Sequence, residues 1–148
     1  MRAVIMAGGS GSRLRPLTCD LPKPMVPVLN RPVMHYTIDL LKKHGIEEIA
    51  VTLAYLPRVI KDYFEDGREY GVQLQYYVEE TPLGTAGSVK NAAEFFRDTF
   101  LVISGDALTD LDIGAATAFH RQQKAKVTLV LHRQQIPLEY GVVITDKE

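Results

Sequence analysis

A buried strand that runs straight into a glycine-rich loop is the feature that most constrains this chain. Residues 3–6 (AVIM) form a short apolar run, typical of a strand inside a sheet. A loop of small residues with one arginine follows directly, at Ala7, Gly8, Gly9, Gly11 and Arg13. Glycines permit backbone conformations that a Cβ would block, and curled loops of exposed N–H groups bind anions. Because a guanidinium can contact two phosphate oxygens, the segment predicts a polyphosphate site at the carboxyl edge of a sheet.

Two familiar phosphate-binding loops do not fit this segment. The P-loop requires glycine, lysine and then serine or threonine, and the sequence contains no such tripeptide. The dinucleotide-binding fingerprint requires a third glycine three positions after the second, where this chain has Leu14, with Pro16 close behind. The loop therefore belongs to another class, and a dinucleotide-binding oxidoreductase is disfavoured.

Beyond the loop, short apolar segments alternate with segments of helical periodicity. Helices are predicted to begin near residues 32, 57, 85 and 112. Gly45 is predicted to end the first at His44, the third is predicted to have about a dozen residues, and Asp112 is the predicted N-cap of the fourth. Strands are predicted over residues 46–53, 72–78, 100–103, 126–132 and 141–145. The continuous apolar run at 100–103 (FLVI) is typical of a strand buried on both faces. This alternation predicts an α/β fold, three-layered and Rossmann-like, with a mostly parallel twisted sheet and helices on both faces.

The composition is that of an ordinary soluble globular domain. Basic and acidic residues nearly balance, at 17 and 18, so nothing favours nonspecific binding to nucleic acid. No apolar run approaches the roughly 20 residues of a membrane span, and no signal peptide precedes the first strand. The single cysteine, Cys19, excludes an internal disulfide and is compatible with a reducing compartment. We therefore expect a cytoplasmic protein, one domain over residues 1–148, without nucleic-acid or membrane partners.

Further motifs accompany the glycine loop. The loop reads GGSGSRLRPLT and is followed by Pro22-Lys23-Pro24, and then by LLKKHGIEEIAVTLAYLP, EETPLGTAG, ISGDALTD and YGVVITD. This series resembles the sugar-nucleotide pyrophosphorylases, the nucleoside-triphosphate sugar-1-phosphate nucleotidyltransferases, over nearly the whole chain. The resemblance implies the nucleotide-diphospho-sugar transferase fold. It also implies the transfer of a nucleotidyl group from a nucleoside triphosphate to a sugar-1-phosphate, which gives a nucleotide sugar and pyrophosphate.

Within this family, two segments indicate the substrates. CDLPKPMVPVLNRP and VEETPLGTAGSVKN are most similar to those of the mannose-1-phosphate guanylyltransferases, which implies GTP and mannose-1-phosphate. Glucose-1-phosphate thymidylyl-, uridylyl- and adenylyltransferases are the alternative enzymes. A non-catalytic nucleotide-binding regulatory subunit is the alternative from outside enzymes, although the family's phosphate-binding residues are intact. Many members of the family self-associate, so a homo-oligomer is a further expectation.

The resemblance assigns phosphate and metal binding to three charged residues and the loop. The loop from Ala7 to Gly11 would wrap the triphosphate, Arg13 would hold its β- and γ-phosphates, and Lys23 would contact the phosphates. Asp106 follows the strand at 100–103 and would bind Mg²⁺, which commonly takes one or two carboxylates together with phosphate oxygens. Arg13, Lys23 and Asp106 are thus the expected catalytic residues. The alternatives are a turn built by the glycines, a solvated lysine and a turn-forming or helix-capping aspartate.

The segment EETPLGTAG resembles the part of the family that contacts the base and the sugar. Guanine presents N1–H and its 2-amino group as neighbouring donors, and one carboxylate can accept from both. Glu79 or Glu80 therefore predicts GTP, the alternative being a solvated acidic pair at a strand end. Gly84 would permit close approach of the base or ribose. Gly141, in the YGVV segment, would let the sugar approach the backbone, the alternative being a glycine that opens a strand.

Two other site residues of the family are missing from this sequence. The second metal-binding aspartate and the lysine of a Glu-Lys-Pro motif, which grips the sugar-1-phosphate, follow the tyrosine-glycine segment in the family. By the resemblance, the second metal-binding aspartate would lie beyond residue 148, and residues 142–148 contain no Glu-Lys-Pro motif. We therefore expect residues 1–148 to be the N-terminal part of a nucleotidyltransferase domain, one that binds nucleotide weakly and turns over little by itself.

Overall fold

The computed structural model of this protein describes residues 1–133 and 141–144. The chain divides into two compact units, Met1–Leu111 and Asp112–Glu148. In chain order the elements of the first unit are β1 (Arg2–Met6), β2 (Pro27–Val28), β3 (Arg31–Pro32), α1 (Val33–Lys43), β4 (Glu48–Leu53), α2 (Pro57–Phe64), β5 (Gln73–Val78), α3 (Gly84–Asn91) and β6 (Phe100–Ser104). Short 3₁₀ turns lie at Ser12–Leu14, Lys23–Met25, Arg68–Tyr70 and Ala93–Phe95.

The first unit is organised around a parallel sheet. Four strands lie in the order β5-β4-β1-β6, and β2 with β3 forms a separate two-stranded antiparallel ribbon. Strand β1 pairs in parallel with β4 on one side and with β6 on the other, and β4 pairs in parallel with β5. Because all four strands point the same way, their carboxyl ends lie along one rim of the sheet. The loops that follow β1, β4, β5 and β6 therefore start from this rim.

The two central strands are covered on both faces. Every residue of β4 from Ile49 to Leu53 is fully buried, as are Ala3, Val4 and Ile5 of β1. Successive strand side chains point to opposite faces, so full burial of neighbours requires cover on both sides. On one face, Val4 packs with Ala92 and Phe95, which follow α3. The prediction of a mostly parallel α/β sheet is confirmed.

Helix boundaries follow local signals in the sequence. Helix α1 begins directly after Pro32 and ends at Lys43, with His44 as C-cap and Gly45 in the left-handed region at a φ of 71°. Pro57 opens α2 as predicted, because its fixed φ suits the first helical turn. The predicted helix of about a dozen residues from residue 85 is wrong in length. It ends at Asn91, and a 3₁₀ turn then brings Phe95 into the buried cluster.

Strand β6 corrects the prediction that residues 100–103 are buried on both faces. The strand occupies an edge of the four-stranded sheet, and 37% of Phe100 and 42% of Val102 remain exposed. A continuous apolar run identifies a strand but does not fix its place in the sheet. That place depends on which other strands pair with it, information that a short segment does not contain.

The second unit contains one helix in its described part. Helix α4 (Ile113–Gln123) begins at the predicted N-cap, since the Asp112 carboxylate accepts a hydrogen bond of 2.9 Å from the Ala115 N–H. The strands predicted at 126–132 and 141–145 are wrong for residues 126–132 and 141–144, which are not in strands; Thr145 lies outside the described residues. β-branched sequences favour a strand only where a ladder partner satisfies the backbone, and the described sheets include no such partner. Over the described residues, no helix is long and apolar enough to cross a membrane.

One histidine of the first unit makes stability depend on pH. The His35 ring, on α1, packs edge-on against Phe64 and Tyr70, with ring centroids 6.1 and 4.8 Å away. Burial, together with the nearby Arg31 guanidinium, lowers the pKa of His35 below its usual 6.5, although the Asp39 carboxylate opposes the shift. In the unfolded chain, His35 therefore takes up a proton at higher pH than in the folded protein.

We expect the contribution of His35 to the free energy of unfolding to be constant above neutral pH and to decrease as pH drops through about 6.5. Replacing His35→Gln should flatten this part of the profile, because the side chain no longer titrates. Urea unfolding at intervals between pH 8 and pH 5 measures the effect, with His44→Gln as the matched control. Equal pH dependence in the wild type and His35→Gln would refute the assignment.

Candidate active site

The start of the glycine loop is fixed against the carboxyl end of β4. The Ala7 N–H donates to the Thr52 carbonyl over 2.9 Å, and the Gly8 carbonyl accepts from the Tyr55 N–H over 3.4 Å. A Cβ at Gly8 would lie 3.3 Å from the Cβ of Ala54, so the two loops approach closely there. Beyond this point Gly9 and Ser10 are exposed, and nothing lies within 4 Å of the Gly9 Cβ position. The loop thus has a fixed base and an open, solvent-facing tip.

Gly11 makes the turn that ends the loop. Its φ of 62° and ψ of 28° are left-handed, and it directly precedes the 3₁₀ turn that carries the exposed Arg13. The fully buried Thr18 donates its hydroxyl to the Gly11 carbonyl over 2.8 Å. A Cβ at Gly11 would lie 3.0 Å from both the Cβ of Lys23 and the Cγ2 of Thr18. A glycine is therefore required here on two grounds, backbone conformation and space.

Asp106 lies just past the end of β6 and is bonded through both of its carboxylate oxygens. Ser104 donates its hydroxyl to Oδ1, and the Lys23 ammonium forms an ion pair with Oδ2. The side chains of Lys23 and Asp106 are 37% and 25% exposed, so the pair lies at the surface of the rim but is partly shielded from water. Since the Lys23 stem also adjoins Gly11, the structure places the glycine loop, Lys23 and Asp106 side by side.

Gly105 joins the two halves of this arrangement. Its N–H donates to the carbonyl of Met6, the last residue of β1, over 2.8 Å. A Cβ at position 105 would lie 3.1 Å from the Cγ2 of Ile5 and 3.3 Å from the Cβ of Ala7. The backbone before Asp106 is therefore in direct contact with the root of the glycine loop.

The electrostatics of the rim keep Asp106 ionised. Burial alone would raise the pKa of the Asp106 carboxyl. The hydrogen bonds from Lys23 and Ser104 and the positive charge of Lys23 outweigh that effect, and the pKa lies below its usual 3.8. A carboxylate that stays charged at neutral pH is a suitable ligand for a hard divalent cation.

The described residues supply a partial metal site. No group of three or more His, Cys, Asp or Glu side chains within residues 1–133 and 141–144 could hold a metal ion. Asp106 nevertheless offers ionised oxygens, which are the donors that Mg²⁺ prefers, and the ion commonly completes its shell with phosphate oxygens and water. The residues present therefore fit Mg²⁺ as one protein ligand beside a bound polyphosphate.

Glu79 is buried at the end of β5, although its neighbour Glu80 is exposed. Glu79 is 8% exposed, and its backbone N–H donates to the Leu53 carbonyl over 2.7 Å. Its Oε2 accepts a hydrogen bond of 3.1 Å from the Leu83 N–H, which fixes the turn before α3. Its Oε1 is buried and has no hydrogen-bond partner among the described residues. A buried carboxylate oxygen without a donor is costly, so Oε1 needs a donor from outside the described residues, either a water molecule or a ligand.

Two predicted glycines are open to solvent. Gly84 begins α3 at a φ of 69°, is exposed, and has nothing within 4 Å of its Cβ position. Gly141 belongs to the second unit and is likewise exposed, with nothing within 4 Å of its Cβ position. The loop, Lys23, Asp106, Glu79 and Gly84 all lie in the first unit, at loops that follow strands of the same parallel sheet.

The sequence profile of a family described as nucleotidyl transferase matches residues 2–148. This chain belongs to the nucleotidyl transferase family. It is 42% identical to a UTP–glucose-1-phosphate uridylyltransferase of Synechocystis and to a mannose-1-phosphate guanylyltransferase of Mycobacterium tuberculosis, in each case over 99% of this chain and 41% of the relative. The chain thus spans about two fifths of the length of these relatives.

Two solved structures share the fold of this chain. HddC from Yersinia pseudotuberculosis, complexed with GMP-PN, superposes with a TM-score of 0.73 at 32% identity, over 80% of this chain and 53% of that one. A putative glucose-1-phosphate thymidylyltransferase from Bacillus anthracis superposes with a TM-score of 0.76 at 30% identity, over 84% of this chain and 51% of that one.

Three residues of this nucleotidyl transferase chain support the site and did not emerge from the sequence. Ser104 bonds to Asp106, Thr18 bonds to Gly11, and the Tyr55 hydroxyl donates to the Thr18 and Cys19 carbonyls over 3.2 and 2.7 Å. For Ser104 the sequence shows only that this hydroxyl lies two residues before Asp106, within reach of it in a turn. For Thr18 and Tyr55 no local signal exists, since their partners come from the tertiary fold.

The two conditions on Gly11 make a testable prediction for this nucleotidyl transferase chain. Gly11→Ala should lower the free energy of unfolding by about 1–3 kcal/mol, because alanine is strained at a φ of 62° and crowds Lys23 and Thr18. Gly9→Ala should change it by less than about 0.5 kcal/mol, since that position is open. Urea unfolding compares the two variants. Equal losses would mean that Gly11 is not under the constraint described.

Proposed function

We propose that this chain is part of an enzyme that transfers a guanylyl group from GTP to a sugar-1-phosphate, namely mannose-1-phosphate. One observation carries the proposal: the glycine loop, Lys23 and Asp106 meet at the carboxyl rim of a parallel sheet. Open α/β sheets bind their ligands in this position. Membership of the nucleotidyl transferase family supports the reaction class.

The proposed reaction is an in-line displacement without a covalent enzyme intermediate. An oxygen of the sugar-1-phosphate forms a bond to the α-phosphorus of GTP. The bond from that phosphorus to the bridging β-oxygen breaks, and pyrophosphate leaves with the electron pair. Catalysis of this kind depends on positioning and on the neutralisation of phosphate charge.

Each rim residue has a role in this proposal. The backbone N–H groups at the open tip of the loop bind phosphate oxygens, and Arg13 binds the outer phosphates with its two-pronged guanidinium. Lys23 contributes a compact positive charge on a flexible stem, which stabilises the departing pyrophosphate. Asp106 would hold Mg²⁺, which when bound supplies further neutralisation of the phosphate oxygens.

The burial of Glu79 supports GTP as the nucleotide. Its Oε1 lacks a donor, and guanine brings two neighbouring donors, N1–H and the 2-amino group. Glu80 is exposed, so water can donate hydrogen bonds to its carboxylate. Three relatives point the same way: the M. tuberculosis mannose-1-phosphate guanylyltransferase, a Campylobacter jejuni D-glycero-α-D-manno-heptose 1-phosphate guanylyltransferase at 34% identity, and HddC, solved with GMP-PN.

The second candidate is a uridylyltransferase that acts on glucose-1-phosphate. The Synechocystis relative of that name is as similar as the guanylyltransferase, at 42% identity. Uracil presents one donor beside acceptors, so an amide matches it better than a carboxylate does. The buried Glu79 therefore favours guanine over uracil as the base.

A cross of four nucleoside triphosphates with two sugar phosphates tests the proposal. In the whole protein of which this chain is a part, we expect GTP to bind more tightly than UTP, dTTP, ATP or NAD, and pyrophosphate to appear fastest from GTP with mannose-1-phosphate. Arg13→Met should weaken GTP binding at least about tenfold, through loss of charge-assisted hydrogen bonds. Arg15→Met is the matched control and should stay within about twofold of the wild type.

Preference for UTP with glucose-1-phosphate in this cross would replace the guanylyl assignment by the second candidate. Tighter binding of NAD than of any triphosphate, with no pyrophosphate released, would contradict the reaction class itself. Equal effects of the two arginine changes would remove Arg13 from the phosphate site.

A separate pair of variants tests how the base is recognised. Glu79→Gln should weaken GTP binding by about one to two powers of ten, because the amide offers one acceptor where guanine needs two and adds a competing donor. Glu80→Gln, at an exposed position, should leave binding within about twofold. Isothermal titration calorimetry with GTP and with UTP measures the nucleotide affinities of both variants. Unchanged preference for GTP in both variants would exclude base recognition by these carboxylates.

A further inference from the structure

We propose that Lys23 exchanges partners when nucleotide binds: it occupies Asp106 in the free protein and moves to the triphosphate in the complex. The Asp106 carboxylate is then released to a divalent cation only after the phosphates have arrived. This inference rests on the proposed function and adds an order and a coupling to it. Binding of the nucleotide and binding of the cation are therefore coupled through the Lys23 side chain.

The first argument is that Asp106 is fully engaged in the free protein. Ser104 bonds to its Oδ1, and the Lys23 ammonium occupies its Oδ2. A cation that approached this carboxylate would have to displace the ammonium and would meet its positive charge. Elsewhere in residues 1–133 and 141–144, no cluster of ligand side chains offers an alternative site. A divalent cation alone therefore gains little at this rim.

The second argument is that the side chain of Lys23 can move while its backbone stays fixed. The backbone of Lys23 lies in the 3₁₀ turn Lys23–Met25. The Met25 N–H donates to the Pro22 carbonyl over 2.8 Å, and the Val26 N–H donates to the Lys23 carbonyl over 3.1 Å. Buried Pro22 and Pro24 flank Lys23 on both sides. The ammonium, in contrast, is at the end of a four-carbon stem with 37% of the side chain exposed.

The third argument is that the two partners of Lys23 are neighbours. The Cβ of Lys23 lies 3.0 Å from the Cβ position of Gly11, at the end of the phosphate-binding loop. A phosphate held by that loop comes within reach of the lysine stem. It brings more negative charge than a single carboxylate, so the ammonium gains by moving to it. The phosphate oxygens beside the freed Asp106 then complete the oxygen ligands that a divalent cation needs.

The coupling is reciprocal. If binding of a triphosphate frees Asp106 for a cation, a cation on Asp106 must free Lys23 for the triphosphate by the same factor. Replacing Lys23 should therefore strengthen the binding of a cation at Asp106, and replacing Asp106 should strengthen the binding of a triphosphate at Lys23. A lysine that only contacts phosphate, or only stabilises the fold, would not produce this crossed pattern.

The cation half of the pattern can be measured with Mn²⁺ as the probe, by electron paramagnetic resonance in the absence of nucleotide. We expect Lys23→Met to bind Mn²⁺ about three- to tenfold more tightly than the wild type. Lys43→Met removes the same charge at an exposed position of α1 and should bind as the wild type does. The double variant Lys23→Met/Asp106→Asn should lose the gain, which assigns it to Asp106. Thermal unfolding of each variant confirms that it is folded.

The phosphate half uses inorganic tripolyphosphate as the probe, by calorimetry in the presence of a chelator. Asp106→Asn should bind it about three- to tenfold more tightly, since Lys23 is no longer held by the carboxylate. Asp110→Asn, at a nearby exposed position, removes the same charge and should change the affinity less than twofold. Lys23→Met should bind tripolyphosphate more weakly than the wild type.

The inference is overturned if Lys23→Met binds Mn²⁺ no better than the wild type, or if the gain survives in the double variant. It is also overturned if Asp106→Asn binds tripolyphosphate no better than Asp110→Asn does. Neither probe contains a base or a sugar. A failure of GTP to bind the wild type would therefore count against the proposed function. The Mn²⁺ and tripolyphosphate affinities of the variants would still decide whether Lys23 exchanges partners.

Discussion

The parallel pairing of β1 between β4 and β6 is the constraint on which the rest of the site depends. It aligns the ends of the strands, so that the Met6 carbonyl receives the Gly105 N–H and the Thr52 carbonyl receives the Ala7 N–H. These two hydrogen bonds hold the glycine loop between the loop that follows β4 and the loop that follows β6. The distance between residues 7 and 106 along the chain is then irrelevant, because the ladder makes them adjacent. Full burial of Ala3, Val4 and Ile5 in β1 and of residues 49–53 in β4 supplies the hydrophobic free energy that keeps this alignment.

Local sequence signals were sufficient for most of the scaffold. Pro57 marked the start of α2, Gly45 marked the end of α1, and Asp112 capped α4, because each acts through its own backbone or through residues within one turn. The same reasoning failed where the answer depended on distant partners. The apolar run of β6 predicted a strand correctly, but the predicted burial on both faces was wrong because β6 lies at an edge of the described sheet. The apolar residues after 125 have no ladder partner in the described sheets.

At the site, too, the chemistry of the residues could be predicted from the sequence, whereas their contacts with distant residues could not. Residue types suited to phosphate and metal binding could be read from the sequence, since glycines, Arg13, Lys23 and Asp106 each have a chemical property that the proposed reaction uses. The ion pair between Lys23 and Asp106 could not, because 83 residues separate the partners. The sequence likewise left Glu79 and Glu80 equivalent. Burial separates them, since it isolates one oxygen of Glu79 while Glu80 remains in water.

The two oxygens of Glu79 give this position a double duty. One oxygen terminates the turn before α3 by accepting from the Leu83 N–H, and the other points to no donor in the described protein. If Glu79 recognises the base as proposed, a lineage that replaced this side chain to suit another base would also lose the hydrogen bond that fixes the turn before α3. Compensating changes around residues 81–84 would have to accompany or precede it. Substrate preference at this position should consequently evolve in linked steps, with neighbouring loop residues covarying, and not by isolated point replacements.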